Sequence, residues 1–303
     1  MDDAKKEWHG FPNVIQKWEE TYLKYWTSTH PVAFSQLSAN KIYDWHPSEK
    51  KHKILDEHKN INYSIDEYGF RYYPTLKKNL SKKIFCFGCE NTFGKGLLDE
   101  DTWPYKLARA IGEDCLPKNY GVVGSSLEYN TMCFYQLMKV LPKEEYPNAV
   151  FFLVPDPFRC FYIGNKQNRS PLIKHIDLAG RPEDTLEFEI EKYQYTLDES
   201  KMKDLNYYAY TSAGHTFIRC VKYFKFINQI AKNRNIPWFW YSVSPFFSNL
   251  PQTLLDEYVG IRNYPNIDGN VTKFTQLDQN RDCSGPGAIS NQTISDTFRK
   301  LYE

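Results

Sequence analysis

The residues with chemistry to offer stand at the ends of short apolar runs. Ile84-Phe85-Cys86-Phe87 leads into Gly88-Cys89-Glu90-Asn91, which places a thiol and a carboxylate side by side just after a run of strand length. With Asp156 or Asp282, Glu90 would make a glycosidase-type carboxylate pair, a chemistry that needs a separation of about 5 to 9 Å. Cys86 and Cys89 form a C-x-x-C, yet no second pair stands at zinc-site spacing, so both read as small core residues at a strand end. The stretch GCENTFGKG superficially follows a phosphate loop. It fails as one, because five residues rather than four separate Gly88 from Gly94, and Gly96 rather than Ser or Thr follows Lys95. Ser125, Ser126 and Ser284 read as loop serines that satisfy backbone N–H groups. Nothing in the sequence brings His30 or His215 to Asp282, and both read as surface or capping residues. No metal site and no cofactor is expected from these sets.

The elements that would position these residues follow from hydrophobic period. From residue 82 onward, strand-length runs alternate with helical patterns: a strand at 84–87, a helix at 102–112, a strand at 120–123, a helix from after Ser126 through Val140, a strand at 149–154, a long helix at 213–233, a strand at 238–243 and a closing helix at 289–302. Buried runs interleaved with helices predict a parallel sheet covered on both faces, with its ligand crevice at the carboxyl ends of the strands. Residues 156–211 break this rhythm, and the alternation at 187–190 and 193–196 predicts an inserted hairpin. Upstream, Val14, Ile15, Trp18, Tyr22 and Trp26 have the spacing of one amphipathic helix, ended by Thr27-Ser28-Thr29-His30-Pro31, and residues 32–60 read as irregular. The expected organisation is an N-terminal extension, 1–80, packed on an α/β domain, 81–303.

Composition narrows the function classes. The chain has 303 residues with 38 Lys plus Arg against 37 Asp plus Glu, so a net charge of +1 gives no basic field for nucleic acid or anionic lipid. A mean hydropathy of −0.62 and the lack of an 18-residue apolar run argue against a membrane span. The start MDDAKKEWHGF has no basic-then-apolar leader, so a non-secreted, cytoplasmic chain is expected. Seven cysteines, an odd count, suit reduced thiols better than a disulfide framework. Aromatic residues make up 17% of the chain, a load that serves core filling first and ligand stacking second.

Four blocks together resemble the SGNH (GDSL-like) hydrolase family. They are the lead-in from Asn62 to Tyr68-Gly69-Phe70-Arg71, the stretch IFCFGCENTFGKGLLDEDTWPYKL from Ile84 to Leu107, the block from Asn119 to Gly124, and RDCSGPGAISNQTISDTF from Arg281 to Phe298. They cover about a third of the chain in the order a doubly wound sheet requires. The resemblance implies an SGNH-hydrolase-like (flavodoxin-like) three-layer sandwich with a mostly parallel sheet. It also implies a triad that has been lost. Glu90 falls on the nucleophilic serine, Cys89 on the Asp before it, and Gly285 where the general-base His belongs, while Asp282 keeps the orienting carboxylate. Two oxyanion donors are implied, the backbone N–H groups of Glu90 and Gly124. The third, an Asn side chain, is replaced in the segment Pro155-Asp156-Pro157, and an ionised Asp has no donor.

The expected function is accordingly non-catalytic: a binding or structural protein that reuses the cleft lined by Gly88, Cys89, Glu90, Asn91, Gly124 and Asp156. The resemblance implies other protein subunits or a glycan as partners, in a larger assembly such as a virion, and with it a cytoplasmic or virion-associated location. The alternative is an active esterase or deacetylase on acylated glycans with a displaced nucleophile and base. Glu90 is further expected to fill the remnant oxyanion hole with its own side chain, because a helix start favours negative charge.

Overall fold

A computed structural model of the chain describes residues 61–66, 69–77, 80–164, 172–177, 213–248 and 286–303, together with short strands at 42–45, 266–267 and 270–271. Ile42–Trp45 (β1) and Ile61–Ser64 (β2) pair antiparallel, with Ile42 opposite Ser64 and Trp45 opposite Ile61. The expectation of an irregular 32–60 segment is thus corrected at 42–45. Ile, Tyr and Trp favour an extended backbone once a ladder is supplied, and the ladder comes from beyond any local sequence window. The amphipathic pattern at 11–26, with Trp18, Tyr22 and Trp26, lies outside the described residues.

The sheet is built around Lys82–Gly88 (β3). Its residues Ile84 to Gly88 are all buried, as a strand covered on both faces requires. Cys115–Gly121 (β4) runs parallel on one side, Lys82 opposite Cys115 and Gly88 opposite Gly121. Ala149–Val154 (β5) runs parallel on the other, Ile84 opposite Ala149. Trp238–Ser242 (β8) extends the sheet beyond β5, giving the order β4-β3-β5-β8. The strand expected at 120–123 therefore begins five residues earlier and passes through Pro117 and Lys118. Pro is tolerated there because, among the described residues, β4 lies at the sheet's edge.

Period-2 alternation sends side chains to two cores. Phe85, Phe87, Val150, Phe152, Trp238 and Trp240 pack against Leu127–Val140 (α3) and Ala213–Arg234 (α4), through Phe134, Leu137, Phe224 and Ile227 among others. Ile84, Cys86, Phe151, Leu153 and Tyr241 face the opposite way, against Trp103, Leu107, Ile294 and Phe298 of Trp103–Ile111 (α2) and Ala288–Tyr302 (α6). Helix, sheet and helix layers follow, with the flavodoxin-like order of strands. Asn291 ties α6 to α2: its Oδ1 accepts the Trp103 N–H at 3.1 Å while its amide donates to the carbonyls of Pro286 and Gly287.

Two further elements bear on the site. Glu90–Phe93 (α1) is a single turn after β3, and Pro245–Ser248 (α5) follows β8. Within the segment expected to hold an inserted hairpin, Arg159–Gly164 (β6) and Leu172–Asp177 (β7) pair antiparallel, whereas residues 187–196 lie outside the described residues. Asn266–Ile267 (β9) and Asn270–Val271 (β10) form one more short antiparallel pair.

Arg71, from the lead-in block, is 1% exposed and fastens the chain that follows α1. Its guanidinium donates to the carbonyls of Phe93 (3.0 Å), Gly94 (2.7 Å) and Leu97 (2.9 Å), and twice to Asp99 Oδ1 (2.7 and 3.2 Å). The Tyr63 ring lies under it, 4.8 Å from guanidinium carbon to centroid. Tyr63 Oη also accepts the Gly96 N–H at 2.6 Å, so β2 and the stretch after it each hold the same loop.

Candidate functional site at the ends of the central strands

The site forms where β3 and β5 end and their crossovers depart to opposite sides, the switch point of an open parallel sheet. Gly88 closes β3 so tightly that a Cβ there would lie 2.1 Å from Thr92 Oγ1 and 2.7 Å from the Leu153 carbonyl. That closeness folds α1 back over the strand ends. Gly121 permits the same approach on β4, where a Cβ would meet the Phe93 backbone nitrogen at 2.3 Å. Asn119 completes the joint by donating to the Thr92 carbonyl and to Tyr73 Oη while accepting the Gly121 N–H.

The strand-to-helix turn after β4 is set by Val122 N–H donating to the Gly88 carbonyl and Ser125 N–H to the Val122 carbonyl. Gly124 takes a left-handed φ of 78°, which a residue with a Cβ adopts at a cost, and its N–H then donates to Glu90 Oε2 at 3.0 Å. Ser125 is fully buried and donates to the Gly88 carbonyl, and Ser126 is the N-cap of α3, accepting the Tyr129 N–H. Both hydroxyls are thereby committed to backbone groups.

The third wall comes from β5. In Pro155-Asp156-Pro157-Phe158-Arg159, Asp156 Oδ1 accepts the Phe158 N–H at 2.9 Å and the Asp156 carbonyl accepts the Arg159 N–H at 3.0 Å, an Asx turn. Arg219 of α4 braces this turn by donating to the Pro157 carbonyl. The turn aims Arg159 back across the crevice, where Nη1 donates to Glu90 Oε2 at 2.8 Å and Nη2 to Oε1 at 2.7 Å. Both side chains are 17% exposed, and the pair is a two-point fork of the strong charge-assisted kind. Sequence reasoning gave Arg159 no part. Its signal was a charged residue placed by a Pro-Asp-Pro turn just after the most apolar strand.

Electrostatics follow from this arrangement. Burial would raise the Glu90 pKa, but the hydrogen bonds and charge of Arg159, helped by the backbone N–H groups of Glu90 and Gly124, outweigh it and hold the carboxyl below its ordinary range. Glu90 is thus an ionised, occupied carboxylate at neutral pH. Cys89, 2% exposed behind it, is pushed up to about 12, by burial first and the Glu90 charge second, with Arg159 opposing. A thiol so placed is not a thiolate at pH 7 and lacks nucleophilic character. Cys86 is fully buried, and burial raises it further.

Of the residues singled out from sequence, Gly88, Cys89, Glu90, Asn91, Gly124 and Asp156 lie along the strand ends, and Glu90 and Gly124 touch. Asp156 shapes the turn that presents Arg159, and Asn91 is a half-buried residue of α1. Asp282, Gly285, Ser284 and His30 lie outside the described residues, and His215 is placed only by its backbone in α4. Among the described residues no group of three or more His, Cys, Asp or Glu is arranged to hold a metal ion, and no helix is long and apolar enough to cross a membrane.

No family model matches the chain, and no curated protein matches it by sequence. Among solved structures it is similar to an esterase of the SGNH-hydrolase family, at 15% identity over 60% of this chain and 75% of that one, with a TM-score of 0.33. It is also similar to a G-D-S-L family protein from Desulfitobacterium hafniense, at 15% identity over 73% and 99% with a TM-score of 0.31. A carbohydrate acetylesterase family member from Sinorhizobium meliloti gives 11% identity over 73% and 97%, with a TM-score of 0.30. Among the described residues the fold, read from its own strands, is an α/β sandwich around a four-stranded parallel sheet.

Proposed function

We propose that this chain is a non-hydrolytic SGNH-like protein whose strand-end site is closed by its own Glu90, and that it acts by binding or as a structural part of an assembly. The observation that supports this reading is the Glu90 carboxylate itself, held by Gly124 N–H and by both terminal nitrogens of Arg159. Acyl transfer needs donors free to receive the oxygen that becomes negative in the transition state. Here a backbone donor of that kind already serves a negative charge, and a second anion beside it would be repelled. An ion-paired carboxylate with a lowered pKa is also a weak base and a weak nucleophile. Ser125 and Ser126, the hydroxyls that follow Gly124, are buried and bonded to the backbone.

Other protein subunits or a glycan are the partners this reading favours, in an assembly such as a virion. The test is hydrolysis of p-nitrophenyl acetate together with labelling by a fluorophosphonate probe. Loss of a nucleophile or base lowers rate by about a millionfold, so the expected result is turnover at background and no label. Stoichiometric labelling that disappears on changing Ser125, Ser126 or Ser284 to Ala would establish the esterase instead.

A further inference from the structure

We infer that the outward face of α4 is a docking surface for an acidic segment of a partner protein, one that sets carboxylates beside aliphatic or aromatic side chains. The face lies on a different part of the molecule from the strand-end site and does not depend on what that site does.

α4 is a helix of one charge sign. Ala213–Arg234 holds Arg219, Lys222, Lys225, Lys232 and Arg234 and has no Asp or Glu, in a chain whose net charge is +1. Its inner rows, with Phe224, Ile227 and Ile230, fill the core against the sheet. The two arginines also turn inward, Arg219 to the Pro157 carbonyl and Arg234 to the Met138 carbonyl. What faces water is a single stripe. Ile218, Lys222, Lys225, Phe226 and Lys232 fall within about 120° of arc and extend about 21 Å along the helix axis.

Two properties mark this stripe as a contact surface. None of its three lysines makes an ion pair or hydrogen bond among the described residues, and the one acid of the neighbouring α3, Glu128, is taken by Tyr223 and Arg219. The cations therefore stand uncompensated. Ile218 is 52% exposed and Phe226 38%, and the Tyr135 ring continues the apolar surface from Phe226 at 5.5 Å between centroids, with Lys139 Nζ 6.0 Å from it. Single exposed apolar residues need no explanation, but anchors interleaved with unpaired cations have the anatomy of an interface with apolar contacts and a charged rim.

The chemistry favours protein over nucleic acid or lipid. Polyanion binding draws on many cations and on guanidinium forks, whereas this face offers lysines and the arginines of α4 are engaged elsewhere. A helix lying in a bilayer surface gives its apolar face to lipid, and that face of α4 is buried against the sheet. Carboxylates spaced along a segment, with apolar side chains between them, match both halves of the stripe.

The test is fluorescence anisotropy of a labelled peptide of sequence EELFEELLEELFEE with the full chain at pH 7. The expected dissociation constant is about 10 μM in about 50 mM sodium chloride, weakened about tenfold at about 300 mM. Lys222→Glu/Lys225→Glu should weaken binding by about tenfold or more, and Ile218→Ser/Phe226→Ser by a similar factor with the salt dependence kept. Lys143→Glu/Lys300→Glu, the same charge change at exposed lysines elsewhere, should leave it within about twofold. Lys222→Gln/Lys225→Gln serves in place of the charge reversal if that variant melts lower than the unaltered protein. No binding by the unaltered protein, equal losses from the two Lys→Glu pairs, or no loss from Ile218→Ser/Phe226→Ser overturns the inference. Self-association in sedimentation that disappears in Lys222→Glu/Lys225→Glu would give the face to a second copy of this chain, and binding to phosphatidylserine-containing vesicles that disappears in it would give the face to a membrane; either result also overturns it.

Discussion

Arg71→Ala should destabilise the fold more than any change at the strand-end site. The guanidinium is 1% exposed and donates five hydrogen bonds, three to the main-chain carbonyls of Phe93, Gly94 and Leu97 and two to Asp99. Truncation leaves those carbonyls facing an apolar void lined by Tyr63, Tyr73 and Phe93, and leaves Asp99 without its cation. Breaking a buried ion pair by removing one partner costs about 3 to 5 kcal/mol. Asp99 is itself 17% exposed and recovers some solvation, so the lower end of that range applies. Arg71→Lys keeps the charge but cannot span four acceptors set around a planar fork. It should cost about 2 kcal/mol, on the scale of one or two lost charge-assisted hydrogen bonds. Urea unfolding followed by tryptophan fluorescence reads both variants. A change below about 1 kcal/mol for Arg71→Ala would refute the view that this side chain, rather than local helix propensity, holds the loop after α1.

The Glu90 carboxyl has its folded pKa below the ordinary value of 4.5, so its contribution is fully present above that value and is lost as pH falls through the folded pKa. The stability difference between the unaltered protein and Glu90→Gln, about 1 to 3 kcal/mol at pH 7, should therefore shrink steadily in urea titrations taken below pH 4.5; a difference that grows toward acid would contradict the pairing. Gly121→Ala brings a methyl group to 2.3 Å from Phe93 N and 2.7 Å from the Thr92 carbonyl carbon, and backbone cannot move aside cheaply. Its melting curve should report a loss of about 1 to 3 kcal/mol, and an unchanged melting temperature would show that α1 does not pack on the end of β4.

Much of the sheet was readable before the structure because parallel strands buried on both faces announce themselves as unbroken apolar runs. The strands β3, β5 and β8 and the helices α2, α3, α4 and α6 fall within a residue or two of expectation for that reason. β4 was harder, since its first half reads Cys-Leu-Pro-Lys, a composition that only an edge position tolerates. β1 was missed because its stability is supplied by Ile61–Ser64, and pairing across such a gap leaves no local period. At the site, the meeting of Glu90 with Gly124 was expected from the order of the resembling blocks. Arg159 was not, because its contact with Glu90 spans 69 positions and depends on the sense in which a Pro-Asp-Pro turn folds back.

The bond from Asn291 to the Trp103 N–H joins residues 188 positions apart, and α6 supplies half the cover for the core around Phe151. A ribosome making this chain therefore releases β3, β4 and β5 long before the helix that seals one of their faces exists. Until then Trp103, Phe151 and Tyr241 present an aromatic surface without the cover of Ile294 and Phe298. Nascent chains stalled anywhere upstream of Ile294 would depend on the cell's chaperones to keep that surface from self-association.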